Sequence, residues 1–145
     1  MKQSVGVLLL AGVLLSGCGS ITAASALQSW VAQSNLHSSL KILARDAQRA
    51  KESLVNVASS ANDLHTVCGV LLVDAESANA SLPTPDNQAT HLLSSAYTQL
   101  GTAANLCYRA GANAAIRARA LGALARAGAE FSEAGARISA AAGHV

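Results

Sequence analysis

Three cysteines, four histidines and eight carboxylate side chains are the residues of this 145-residue chain best equipped for chemistry. The histidines His37, His65, His91 and His144 are scattered and show no metal-ligand spacing. His65 stands three residues before Cys68, so the two could share a helical face. Without a third and fourth ligand in reach it reads as a solvated histidine, and no metal site is expected. Asp74 and Glu76 are two apart, so on a helix they diverge and make a poor acid–base pair. Asp74 sits in an apolar stretch and is expected to form a structural salt bridge to Arg109 or Arg117. The serines lie in no nucleophile elbow, and there is no glycine-rich phosphate loop. The Asn79-Ala80-Ser81 sequon reads as chance. This inventory predicts no catalytic residue, no cofactor and no enzyme. The cysteines are different, because the context of each is specific.

Cys18 closes the tetrapeptide Leu15-Ser16-Gly17-Cys18, behind Lys2 and an apolar run from Val5 to Leu15. A membrane-spanning helix needs roughly 20 apolar residues, about twice this run. A short apolar core behind a positive start is the pattern of a removable secretion signal. With leucine at minus three, glycine at minus one and cysteine at the cut, the segment resembles a bacterial lipoprotein signal. The resemblance implies cleavage before Cys18 and a diacylglycerol thioether with palmitate-type chains on its thiol. It further implies a protein held on the extracytoplasmic side of a cell membrane or envelope. Two acyl chains anchor firmly, since each buried methylene adds about 0.8 kcal/mol and one chain alone is marginal. The expected organisation is a signal peptide at 1–17, a lipidated N-terminus and tether at 18–29, and a helical domain at 30–145.

The elements that carry these residues read as helices. Alanine is abundant, only four residues are aromatic (Trp30, Tyr97, Tyr108 and Phe131), and no sustained strand alternation appears. The formal charge is +2 with no clustered basic patch, which excludes a nucleic-acid footprint. Lys41, Arg45 and Arg49 form a short basic stripe, read as a solvated face that could touch anionic lipid heads. From Leu36 an apolar or small residue recurs at steps of four and three: Leu40, Leu43, Ala47, Ala50, Leu54, Val57, Ala61, Leu64, Cys68, Leu71, Ala75, Ala78 and Leu82. A second series runs from Ala89 through Leu93, Ala96, Leu100, Ala103, Cys107 and Ala110 to Ala114. It continues less cleanly through Leu121, Leu124, Phe131 and Ile138, with Arg117, Gly128 and Gly135 at seam positions. Such seams predict antiparallel helix packing.

Leu82-Pro83-Thr84-Pro85-Asp86-Asn87 separates the two arms, because each proline disfavours helix in the residue before it. Asp86 or Asn87 is placed to cap the helix that follows. Polar clusters at Ser59–Asp63 and at Gly111–Asn113 are candidate breaks within each arm. An unbroken pair would form two long hairpin arms; breaking both buries Val67, Val70, Leu72 and Val73 in a four-helix bundle, the preferred reading. Gly111, Gly122, Gly128 and Gly135 weaken the last helix, and close helix approach is the expected reason for them. Glu133 with Arg137, and Arg126 with Glu130, are read as pairs on a solvated face. Trp30 is expected to pack on the bundle, with a membrane-interface position as the alternative.

With Cys18 committed to lipid, Cys68 and Cys107 remain as an even pair in an exported protein, on facing seams. A structural disulfide is expected, with two buried free thiols or a redox pair as alternatives. Register is the difficulty: Cys68 lies 14 residues before Leu82 and Cys107 lies 21 after Asp86. A climbing Pro-Thr-Pro segment, a late helix start near Thr90, or tilt must absorb the excess. Cys68, Leu72, Asp74, Ala78, Leu82-Pro83, Pro85-Asp86, Leu92, Ala96, Tyr97, Ala103-Ala104 and Cys107 together resemble a hairpin in uncharacterised exported proteins of actinobacteria, mycobacteria among them. That resemblance covers about 40 residues and implies a disulfide-stapled envelope bundle without an assigned activity. The functional expectation is a non-catalytic interaction or structural module with an envelope protein as partner. The alternative is a carrier of a small, lipid-like apolar ligand between helices.

Overall fold

The computed structural model describes residues 22–143; the signal segment with Leu15, Ser16, Gly17 and Cys18, and His144, lie outside the described residues. Five helices follow one another: α1 (Ala23–Gln33), α2 (Leu36–Val55), α3 (Ala61–Asn79), α4 (Asn87–Tyr108) and α5 (Ala114–Ala142). Helices α2 to α5 form an antiparallel bundle, and the described residues contain no strand.

Both expected breaks exist, and side-chain chemistry sets each of them. The Ser60 hydroxyl accepts the Asp63 N–H at 3.1 Å, and the Asp63 carboxylate accepts the Ser60 N–H at 2.9 Å. This reciprocal cap satisfies donors that the first turn of α3 would otherwise leave free. The same bonds hold the Asp63 carboxyl below the usual carboxylate range. At the other break, Asn113 Oδ1 accepts the Ile116 N–H at 3.1 Å, and Gly111 adopts a left-handed φ of 45° that favours glycine. The bundle therefore replaces the two long rods. Asp86 is the cap of α4, accepting the Ala89 N–H at 2.7 Å.

One boundary differs from the sequence expectation. Residues 23–29, read as tether, belong to α1, which Thr22 caps through its hydroxyl. Alanine is the best helix former, and Leu27 gives the short helix a fully buried anchor. Trp30 packs on the bundle, donating its indole N–H to the Ser81 carbonyl at 3.2 Å. Gln28 donates to the Ala142 carbonyl at 2.7 Å, so α1 is fastened to both the α3–α4 connection and the end of α5.

Cys68 and Cys107 are joined by a disulfide, with alpha carbons 5.9 Å apart. The register is absorbed by the connection and not by a late start, since α4 begins at Asn87. From Cys68 to the end of α3 is 11 residues, and from the start of α4 to Cys107 is 20. The nine-residue difference is about 13 Å of helix, which the chain from Ala80 to Asp86 climbs. Thr84, buried in that climb, donates its hydroxyl to the Asp86 carbonyl at 2.7 Å, and its N–H goes to Thr90 Oγ1 at 2.9 Å. The Leu82–Pro83 peptide is cis.

The core follows the seams from Leu36 to Leu54, Leu64 to Ala78 and Ala89 to Ala110. Two expectations about it are corrected. Val67 and Leu72 are half-buried, but Val70 and Val73 stay exposed, at 48% and 63%. Helix α3 has neighbours only in α2 and α4, so its outer side has nothing to pack against. The glycines of α5 do not mark close approach either. A Cβ added at Gly128 or Gly135 would meet nothing within 4 Å.

Charged residues also pair differently from the local spacing. Arg137 leaves Glu133 and binds Asp86 through two bonds, Nε to Oδ1 at 3.0 Å and Nη2 to Oδ2 at 2.5 Å. Arg126 donates to Gln99 at 3.2 Å and leaves Glu130 Oε2 buried without a hydrogen-bond partner among the described residues. Arg137, with the Ala89 N–H, holds the Asp86 carboxyl at a pKa of about 2. A depressed carboxylate adds stability above its unfolded pKa near 3.9 and loses it as pH falls through the folded value. Asp86→Ala should therefore cost ~1 kcal/mol at pH 7, the usual loss for an N-cap. In urea unfolding curves the deficit against wild type should shrink as pH falls from about 4 to about 2.

Candidate functional site

Helix α5 is unusual in which residues it buries. Ala120, Ala123, Ala127 and Ala134 form its inner line, and these small side chains let it lie closely along α4, its most extensive neighbour. The larger apolar residues Leu121, Leu124 and Phe131 are displaced to its edge, where they are only half-buried. That edge faces α2, which meets α5 only at isolated points. Between the two helices the bundle is open.

Three hollows lie along α2, and two of them adjoin to form an apolar groove. The middle one, about 350 Å³, is lined by Leu40, Leu43, Ala44 and Ala47 of α2 and by Leu124, Gly128, Phe131 and Ser132 of α5, with Leu100 of α4 beneath. It shares Ala44, Ala47 and Leu124 with a second hollow of about 340 Å³, which runs on past Gln48 and Lys51 to Val55, opposite Leu121 and Ala125. One turn of α2 in the other direction, His37 borders a third of about 540 Å³, separate in its lining from the other two and walled by Gln28, Val31 and Ala32 of α1 and by Ile138, Ser139 and Ala142 of α5. From Leu40 to Val55 the groove runs alongside 15 residues of α2, about 22 Å. It is open because Ala44 and Ala47 face α5 where Gly128 contributes no side chain at all. A glycine within a helix costs up to ~1 kcal/mol against alanine, and here no close contact offsets that cost; what the glycine provides is width.

A second hollow, about 600 Å³, lies along the outer face of α4 beside α3. It is polar and shallow, with Glu76, Asn79, Thr98, Thr102, Asn105, Arg109 and Arg119 in its lining. Tyr97 reaches it from within; its hydroxyl is buried without a hydrogen-bond partner among the described residues, and burial pushes its pKa up to about 12. The Tyr97 ring packs edge-on against Phe131, with centroids 5.3 Å apart, which joins the floor of this face to the wall of the apolar groove.

Asp74 does not meet Arg109 or Arg117. It faces α2, where the buried carboxylate of Asp46 lies close enough to raise the Asp74 pKa by charge and hydrogen bonding, beside the larger effect of desolvation. Asp46 in turn accepts from Arg45 at 3.2 Å and approaches Arg49 at 3.6 Å, and its Oδ2 has no partner among the described residues. Two members of the basic stripe are therefore tied to a buried carboxylate. Arg117, at an irregular seam position, is buried and donates to carbonyl oxygens only: Gly111, Ser53, Leu54, Asn56 and Ser59, at 2.7 to 3.3 Å. Arg109 folds back on the Asn105 carbonyl of its own helix.

The histidines stay apart. His65 stacks on Tyr108 at 4.1 Å, His37 borders the hollow against α1, and His91 is exposed. Among the described residues no three His, Cys, Asp or Glu side chains converge as metal ligands, and no helix is long and apolar enough to cross a membrane. The groove itself was missed by sequence reading, although Leu40, Ala47, Leu121, Leu124, Gly128 and Phe131 all stand on the seams. The signal was the irregular stretch of the second seam, where a glycine replaces a core side chain. No protein-family model, curated protein or solved structure matches the chain.

Proposed function

We propose that this protein is a non-catalytic, lipid-anchored module of the cell envelope that carries one elongated apolar ligand between α2 and α5. The observation that carries the reading is the groove held open at Gly128. A bundle selected only for structure gains by closing such a space, because every apolar side chain left wet forfeits about 25 cal/mol per Å² of burial. Cavities of a few hundred Å³ with apolar walls and few polar groups are the usual form of small-ligand sites. Anchoring through Cys18 rests on the Leu15-Ser16-Gly17-Cys18 pattern and would put the groove within reach of membrane lipid. Under this reading the partners are the membrane and the carried ligand; the interaction-module reading takes second place, since the exposed Val70 and Val73 on the outer side of α3 line none of the apolar hollows.

Gly128→Leu tests the proposal, because its side chain grows into the middle hollow. Native mass spectrometry of the full chain carrying Cys18→Ser should show one co-purified apolar adduct. The adduct should be lost in the Gly128→Leu form, with the melting temperature unchanged or higher. An empty spectrum for the parent would end the carrier reading. Separately, Cys18→Ser alone should move the protein from the membrane to the soluble fraction.

A further inference from the structure

We infer that the groove takes a single-chain, long-chain carboxylic acid, with its carboxylate at Lys51 and its tail directed toward Leu40. The inference rests on the carrier reading and names the ligand class for the same groove. Its first support is charge. None of the residues lining the three hollows is acidic, and Lys51 lines the one that ends at Val55. Lys51 forms no salt bridge with any described residue. The adjacent carboxylate, Glu52, accepts a hydrogen bond from Gln48 at 2.8 Å. A cation at the edge of an apolar trough, with no anion assigned to it, suits an amphiphile with one negative end.

The second support is the size of that charge. Phosphate groups are typically held by forked guanidinium donors, often more than one, whereas a lone ammonium is a compact point charge. Arg45, Arg49 and Arg117 are already engaged by Asp46 and by backbone carbonyls, and among the residues lining the groove the basic one is Lys51, suited to a monoanion. The third support is shape. Half of the ~30 Å hydrocarbon core of a bilayer, about 15 Å, is the depth one layer of acyl chains fills. From Lys51 back to Leu40 the groove follows 11 residues of α2, about 17 Å, room for one such chain laid lengthwise. Hollows of 350 and 340 Å³ stand at the small end of ligand cavities, which fits one chain and not a two-chain lipid.

Palmitate and hexadecanol, alike in tail and different in head, separate the claims. Both are titrated into the full chain carrying Cys18→Ser, so that no acyl anchor competes, with binding and stoichiometry read by native mass spectrometry. Palmitate should bind at one equivalent and about tenfold tighter than hexadecanol, the scale of one charge-assisted contact. Lys51→Gln should weaken palmitate about tenfold and leave hexadecanol unchanged, Lys51→Arg should retain palmitate, and Gly128→Leu should remove both. Equal binding of the two ligands, insensitive to Lys51→Gln, would overturn the acid inference and leave the carrier reading standing. Failure of both to bind overturns both, and a dimer that excludes them would identify a second copy as the occupant.

Discussion

Replacing Arg117 with methionine should destabilise the protein by ~2–4 kcal/mol, since a hydrogen bond to a charged group is worth about 1.5–3 kcal/mol and a buried acceptor left unpaired costs about 1–3 kcal/mol. The side chain is 6% exposed and faces no carboxylate within salt-bridge reach among the described residues. Its partners are the carbonyls at the C-terminus of α2, those of the loop before α3, and Gly111 before α5. Terminal carbonyls of a helix carry partial negative charge and have no partner within the helix, so a guanidinium there satisfies both needs at once. Methionine keeps much of the volume but leaves up to four acceptors unbonded, since the Asn56 carbonyl still accepts the Ser59 N–H. Lysine keeps the charge but has no fork to reach both sides, so Arg117→Lys should restore less than half of the loss. Urea unfolding at pH 7 measures both variants. A loss below 1 kcal/mol for Arg117→Met would mean that water replaces the guanidinium without strain.

Reducing the Cys68–Cys107 bridge should cost a comparable amount. The bond closes a loop with a sequence separation of 39, and the chain-entropy model assigns about 4 kcal/mol to a loop of that length. For a domain of this size that is a drop in melting temperature on the order of 10–20 °C. Calorimetry with and without reductant, and of the Cys68→Ser, Cys107→Ser double variant, gives the number. Both cysteines are fully buried between α3 and α4, so reduction should be slow below the unfolding transition. Rapid reduction of the folded protein would show that the two helices separate locally without global unfolding. Most of the loop sits on the climbing segment and α4, so the loss should spare α5 least where Arg137 holds Asp86.

Periodicity and capping chemistry made much of this fold legible. Ser60 with Asp63, Asn113 and Asp86 each announce a helix start, and the seam through Cys68 and Cys107 places both on inward faces. The failures share one cause: a seam says which face is inward but not which neighbour lies to the left or right of it. Asp74 stands on the α2 side of α3, so it meets Asp46, while Arg117 lies in α5 beyond the far end of α2. The groove escaped for a related reason. Apolar residues at Leu121, Leu124 and Phe131 look the same in sequence whether a partner helix closes on them or stands off, and Ala120, Ala123 and Ala127 decide that by drawing α5 toward α4. Helix α1 was missed because its first turn is small and polar and only Leu27 and Trp30 give it a face.

The early start of α1 also sets a distance. With the proposed acyl chains on Cys18, only four residues separate them from Ala23, the first helical position. Fully extended, the five steps from one to the other span no more than about 18 Å. Because Gln28 and Trp30 clamp α1 to the rest of the protein, that short leash acts on the whole molecule. The domain would ride low over the bilayer, free to pivot but unable to range. Exchange with the membrane would then be a matter of rotation at close quarters, and lengthening the tether by a flexible insert after Gly19, ahead of the Thr22 cap, should slow it without touching a contact described in the bundle.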